Sequence, residues 1–258
     1  MVGLVMDLEL IRMNSDIPAL WWPRVLFSCV DRLSEQGCVV AVLPTGVDRP
    51  SSLMKLDAVV GVERSDGTPG LPAGLPFGLP VFYGGPGAPP GCARVTPDFS
   101  GLVHDVMTHL YGRGARRVAL IAPMVQISAP DLIKRAFLEW HVTRGEAPGP
   151  VLVGHDAAGQ VDAAVAAGCD AIFSTTNQSP VLLRALTGRG LRVPADMRLV
   201  TLSEGVIEHW MEPSVTVVSL QGDQNGRVLA DAILTAVASG VTGEVVVRHR
   251  LIEGGSTR

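Results

Sequence analysis

The sequence predicts an α/β protein whose parallel sheets are covered on both faces by helices. Short apolar, β-branched runs alternate with amphipathic stretches along almost the whole chain, which is the pattern of a wound parallel sheet. The stretch 95–121, VTPDFSGLVHDVMTHLYGRGARRVALI, contains one complete unit. Asp98 and Ser100 offer side-chain oxygens to the free N–H groups at a helix start. Val103, Val106, Met107 and Leu110 recur at i, i+3, i+4 and i+7, one apolar stripe at helical period. Gly112 and Gly114 stop the helix, because glycine takes a left-handed C-cap at little cost. VALIA then suits a strand buried on both faces.

In chain order, residues 2–6 make the first strand and 22–36 a helix, with Trp22, Leu26, Cys29 and Leu33 on one face. Strands follow at 39–43 and 57–62. The segment 65–80 is rich in Gly and Pro and can be neither helix nor central strand. It leads into a strand at 81–85, and 86–91 is another loop. After the unit at 95–121, a helix at 128–145 turns Ile133, Ala136, Phe137 and Trp140 inward. A strand at 151–154, an alanine-rich helix at 157–167, a strand at 170–174, a helix at 180–187 and a strand at 199–203 continue the alternation. The last helix, 221–238, carries Leu229, Ala232, Ile233, Ala236 and Val237 on one stripe, and EVVVRHRLI (244–252) closes the chain as one strand. Two α/β halves result, divided near residue 96. Ligands of open parallel sheets bind beyond the carboxyl ends of the strands, so two facing halves set a cleft between those ends.

A chain of 258 residues can bury a substantial core. Apolar residues make up 47% and the mean hydropathy is +0.31, yet no uninterrupted apolar run of about 18 residues could span a membrane. Met1 leads straight into VGLVM, without the basic and apolar regions of a signal peptide; a cytoplasmic location is expected. The net charge of −4 argues against a nucleic-acid surface in this chain. Cys29, Cys38, Cys92 and Cys169 form no C-x-x-C pair, so reduced, packed thiols are expected in place of zinc or dithiol chemistry. His104 and His109 are five apart and do not share a helix face. There is no G-x-S-x-G elbow and no phosphate-binding lysine loop, and Asp7-Leu8-Glu9 occupies the turn where a dinucleotide fold needs glycines. Neither enzymatic activity nor a cofactor or metal is expected.

The second half narrows the class to a family. LVTLSEGVIEHWMEPSVTVVSLQGDQNGR (199–227) lays out a strand, a polar pair, a loop with a proline, a short threonine-bearing segment and a helix with a glycine-basic step. HLYGRGARRVALI (109–121) and LLRALTGRGLRVPADMRLV (182–200) fit the same order. This set resembles the effector-binding domain of the LacI/GalR family of transcriptional regulators, closely over 98–258 and more loosely over 1–62. The resemblance implies a type I periplasmic-binding-protein-like fold: two doubly wound parallel-sheet lobes joined by three crossover segments, near residues 96, 218 and 243. The N-terminal lobe would take 1–96 plus 219–242, and the C-terminal lobe 97–218 plus 243–258. It further implies a homodimer and a small effector, sugar-like or nucleobase-like, held between lobes whose relative tilt it sets.

Two departures stand out. The chain starts at the family's first core strand, so it would reach DNA only through an N-terminal helix-turn-helix head that these residues do not contain. The polar residues the family places around its ligand are also replaced. Ile133 stands at the family's arginine, and Thr175 and Thr176 where an Asn-Asp pair follows the strand. Ser203, followed by Glu204, stands where an aspartate ends its strand, and Leu220 where the third crossing has a glutamine or similar residue. Arginine forks and carboxylates hold vicinal hydroxyls by charge-assisted bonds, so their loss points to a less polar ligand or to lost ligand binding. Asp7 ends the first strand, and an indole of Trp21 or Trp22 near the cleft could stack on a ring; for both tryptophans core packing is the competing reading. Asp7, Trp21, Trp22, Ile133, Thr175, Thr176, Ser203, Glu204 and Leu220 are therefore the ligand-binding candidates. Trp210, in the loop before a crossing, fits either cleft or dimer surface. The expected function is a small-molecule-sensing effector domain with no membrane partner; the alternatives are a stand-alone solute-binding protein and a ligand-free dimerisation module.

Overall fold

Two separate sheets divide the chain. A computed structural model describes residues 1–6, 21–44, 55–63, 69–71, 81–84, 92–124, 128–176, 178–240 and 243–258. The first sheet holds β1 (Val2–Met6), β2 (Val40–Pro44), β3 (Ala58–Glu63), β5 (Val81–Gly84), β6 (Ala93–Pro97) and β12 (Glu244–Val247) in the order β12-β6-β5-β3-β1-β2, all parallel. A two-residue β4 (Pro69–Gly70) pairs antiparallel with β3, inside the segment the sequence reads as loop. The second sheet holds β7 (Val118–Ala122), β8 (Val151–Val153), β9 (Ala171–Ser174), β10 (Arg198–Leu202), β11 (Thr216–Ser219) and β13 (Arg250–Ile252) in the order β13-β11-β10-β9-β7-β8. Only β13 runs antiparallel there. Each sheet places its first strand inside its second and then reverses direction, which creates the topological switch point where α/β sheets bind ligands.

The second sheet is packed on both faces. Val118 and Leu120 of β7 face one way and Ala119 and Ile121 the other, as the period of two requires. The first face meets α2 (Phe99–Gly112) and α3 (Ser128–Arg144) through Leu102, Val106, Leu110, Ile133 and Phe137. The second meets α4 (Ala157–Ala166) and α5 (Ser179–Thr187) through Val161, Leu182 and Leu186. Asp98 caps α2 by accepting from the Gly101 N–H at 2.8 Å, the role its position predicts.

In the first lobe α1 (Trp21–Glu35) and α6 (Gly222–Ser239) lie against one face of the sheet. Val25, Cys29 and Leu33 are buried with Leu229 and Ile233 over Val2, Val60 and Val95. The helices touch backbone to backbone: a Cβ on Gly226 would stand 2.2 Å from the Val25 carbonyl oxygen and 2.8 Å from the Cys29 nitrogen. Only a residue without a side chain permits that approach.

The end of the chain departs from expectation. Residues 244–252 are not one strand: β12 pairs parallel with β6 in the first sheet, and β13 pairs antiparallel with β11 in the second. The third crossing therefore falls at 248–249 and not near 243, and residues 244–247 join the first lobe's sheet, not the second lobe's. The physical reason is edge pairing, since β6 offers a free edge to the parallel β12 and β11 one to the antiparallel β13. The other two crossings run through 98, from β6 to α2, and 220–221, from β11 to α6. Because β6, β12 and β11 all end at these crossings and β13 begins there, the carboxyl edges of both sheets meet at the junction.

Candidate functional site at the lobe junction

Glu204 sits two residues past β10, partly exposed, and its carboxylate is the hub of the second crossing. It accepts from the Ser219 hydroxyl at 3.1 Å, the Leu220 N–H at 3.1 Å and the Gly222 N–H at 3.2 Å. The last of these belongs to the first turn of α6, where free N–H groups and the helix dipole favour negative charge. Ser219 accepts in turn from the Gln221 N–H at 2.9 Å. Gln221 holds a left-handed backbone, φ 54°, a conformation that costs a side-chain-bearing residue about 1–2 kcal/mol. Its partners offset that cost: the Gln221 side chain donates to the Arg248 carbonyl at 2.8 Å, tying the second crossing to the third. Asn225 donates to the Leu220 and Gln221 carbonyls one turn below.

The remaining crossings are laced to the same knot. The Asp98 N–H donates to the Val247 carbonyl at 3.0 Å, joining the first crossing to the third. His249 contacts the Asp105 carboxylate of α2 at 2.8 Å through Nε2. Trp21 packs against the core clusters of both lobes, and a Cβ on Gly222 would meet its carbonyl oxygen at 2.7 Å. Trp21, Gly222, Leu220 and Glu204 thus form one contiguous group where the lobes join.

The neighbouring strand end uses its hydroxyls internally. Thr175 donates to the Ile121 carbonyl at 3.1 Å, and the hydroxyls of Thr176 and Ser174 bond each other at 2.9 Å. Ser179 donates to the buried Glu208 carboxylate at 2.8 Å and lies 3.2 Å from the Thr201 hydroxyl. Thr175 and Thr176 are both buried, as this bonding requires of polar groups away from water. Ser203 is buried too, and its hydroxyl accepts from the Gly205 N–H at 3.2 Å.

A model of the periplasmic binding protein-like domain matches residues 107–257, more than half of the chain. The chain belongs to that family. Among curated proteins none matches the sequence. Solved structures of the same fold include a LacI family transcriptional regulator from Bifidobacterium animalis subsp. lactis DSM 10140, at TM-score 0.79 and 17% identity over 99% of this chain and 97% of that one. A transcriptional regulator CelR–cellobiose complex matches at TM-score 0.77 and 20% identity, covering 99% of this chain and 84% of that one. The lac repressor dimer bound to operator and the anti-inducer ONPF matches at TM-score 0.78 and 15% identity, covering 99% and 93%. At these identities the likeness is one of fold.

Within this periplasmic binding protein-like domain the candidates separate into groups. Ser203, Glu204 and Leu220 come together at the second crossing, with Thr175 and Thr176 on the adjacent strand end. Leu220 lies at the second crossing, not the third, because the chain leaves β11 for α6 there. Its side chain and that of Ile133 are buried in the core between α2, α3 and the second sheet. Trp21 bridges both lobes, the Trp22 side chain and Asp7 lie outside the described residues, and Trp210 is 84% exposed. Ser219, Gln221 and Asn225 were not foreseen as site residues. The Gln-Gly-Asp-Gln-Asn run at a helix start was the available signal, since such residues bond local backbone groups.

Proposed function

We propose that this chain is the effector-sensing domain of a cytoplasmic transcriptional regulator, without catalytic activity, holding a small ligand between its lobes and signalling through a homodimer. DNA would be reached through a head outside these 258 residues. The observation that carries the reading is the junction: two wound sheets bring their carboxyl edges together at three crossings laced by Glu204, Gln221 and Asp98. A ligand that changes the tilt of the lobes must strain this knot, which makes it the natural relay between cleft and dimer. Proteins of the same fold include one in complex with cellobiose and one that is a dimer on its operator.

The effector is less polar than a common sugar. Ile133 and Leu220 bring no polar group to the ligand, and the carboxylate of Glu204 and the hydroxyls of Thr175 and Thr176 are committed to protein partners. Among these described residues a sugar hydroxyl would find few free partners, and each one left unpaired costs about 1–3 kcal/mol. For dimerisation the exposed apolar group Val206, Ile207 and Trp210 is the surface of choice, because contiguous exposed apolar area marks association sites.

A thermal-shift screen with sugars, nucleosides and small organic acids tests the reading. A weakly polar ligand should raise the melting temperature in proportion to the logarithm of its concentration, by about 2.7 kcal/mol of stability at a hundredfold excess over Kd. No shift across a broad library would replace the sensor with a ligand-free dimerisation module. Trp210→Glu should convert a dimer to a monomer in sedimentation, and an unchanged mass would remove that surface from the account.

A further inference from the structure

The pole of the second lobe opposite the crossings holds a cavity of about 540 Å³, formed where α2 ends, β10 begins and the chain terminates. Three guanidinium groups line it, those of Arg113, Arg198 and Arg258, with Gly114, Pro194 and Thr257 completing the wall. The charges are unevenly matched. Arg113 pairs with Glu253, and the nearby Arg189 and Arg192 are neutralised by Asp162 and Asp196. The Arg198 side chain makes no hydrogen bond or ion pair among the described residues. Arg258 reaches only the Glu253 carbonyl oxygen, at 3.4 Å.

Two carboxylates oppose these cations, that of Glu253, paired with Arg113, and the one that ends Arg258; the three guanidinium groups outnumber them. The last carbonyls of α2, the negative end of its dipole, are already taken: those of His109, Leu110 and Tyr111 accept from the N–H groups of Arg113, Ala115 and Gly114. The Thr257 hydroxyl is held between His109 at 2.9 Å and Thr216 at 2.7 Å, so it anchors the wall. What remains available is the unpaired Arg198 fork, with the Arg258 fork and the half-engaged Arg113 beside it. Such planar donors match the oxygens of carboxylates and phosphates two at a time, and the volume suits a small ligand.

We propose that this cavity binds a small multiply charged anion, phosphoryl- or carboxylate-bearing, at a site separate from the cleft. The test is calorimetric titration of the intact chain with inorganic phosphate and with citrate, each against sodium chloride at matched ionic strength. Saturable binding is expected for at least one of the two anions and not for chloride. Arg198→Ala and Arg258→Ala should each weaken it at least about tenfold, while Arg116→Ala, on the same pole but outside the cavity wall, leaves it unchanged. Arg198→Lys, which keeps the charge and loses the fork, should fall between wild type and alanine. Because the Arg198 side chain bonds no described residue, its removal should leave the circular dichroism spectrum intact; if it does not, Arg258→Ala carries the test alone. Absence of saturation by about 10 mM, equal heats with chloride, or equal weakening by Arg116→Ala would each overturn the proposal. The preferred anion tells phosphoryl from carboxylate chemistry.

Discussion

The two lobes share a winding order and differ in how they are held. In the second, helices bury both faces of the sheet, with Phe137 and Phe173 fully enclosed on one side and Ile121 and Ile172 on the other. In the first, the described residues form one buried cluster, and its centre is a helix pair in backbone contact at Gly226. Among the described residues, the second lobe thus shows packed clusters on both faces of its sheet and the first lobe a cluster built around two closely approaching helices. Topology alone does not set local stability.

Four changes sharpen or break that comparison. Phe137→Ala should cost most, about 3–5 kcal/mol, because it opens a void at the centre of the second lobe. Denaturant titration with strand-resolved hydrogen exchange should show protection falling first in β7, β9 and β10. Gly226→Val should cost about 3 kcal/mol by overpacking, since the backbone oxygen of Val25 cannot move aside. Here protection should fall in β1 and β3 while β7, β9 and β10 keep theirs. If both variants lower protection uniformly across the two sheets, the lobes are one cooperative unit and the contrast fails.

Glu204→Gln comes next. It keeps the shape and removes the charge that three donors and a helix start favour, at a cost of about 1–2 kcal/mol. Its mark should be faster exchange at residues 219–222, and unchanged exchange there would show that the crossing holds without the carboxylate. The smallest effect is at the surface of the second lobe. The Arg192 guanidinium and N–H hold the Asp196 carboxyl at a pKa of about 2, below its ordinary value of 3.8. A depressed carboxyl stabilises the fold above its unfolded pKa and loses that contribution as the pH falls through the folded value. Arg192→Ala should therefore bring the Asp196 titration, read by carbon NMR, back toward 3.8 and flatten the small loss of stability between there and pH 2. A titration that stays near pH 2 in the variant would assign the shift to another cause.

Much of this fold was legible because its signals are local. The stripe from Val103 to Leu110 and the uninterrupted VALIA strand encode period and burial within a few residues. EVVVRHRLI misled because a crossing is a tertiary event: β12 finds its partner at 93–97 and β13 at 216–219, and only Arg248, His249 and Arg250 interrupt the apolar run. The site was legible by position and not by role. Strand ends pointed to Thr175, Thr176, Ser203 and Glu204, but the donors that engage Glu204 lie fifteen or more residues away at 219–222. Ile133 was readable both as an inward residue of α3 and as a replaced ligand group, and its packing belongs to the first reading.

The central proposal is that the polar groups of the junction, among the described residues, are bonded within the protein and not free for a sugar. Calorimetric titration of the purified chain with glucose, galactose and cellobiose tests it most directly. The account predicts no binding tighter than about 1 mM for any of them. A dissociation constant of about 1 μM for a common hexose would contradict it, and would mean that Glu204 or the strand-end hydroxyls leave their protein partners to hold the ligand.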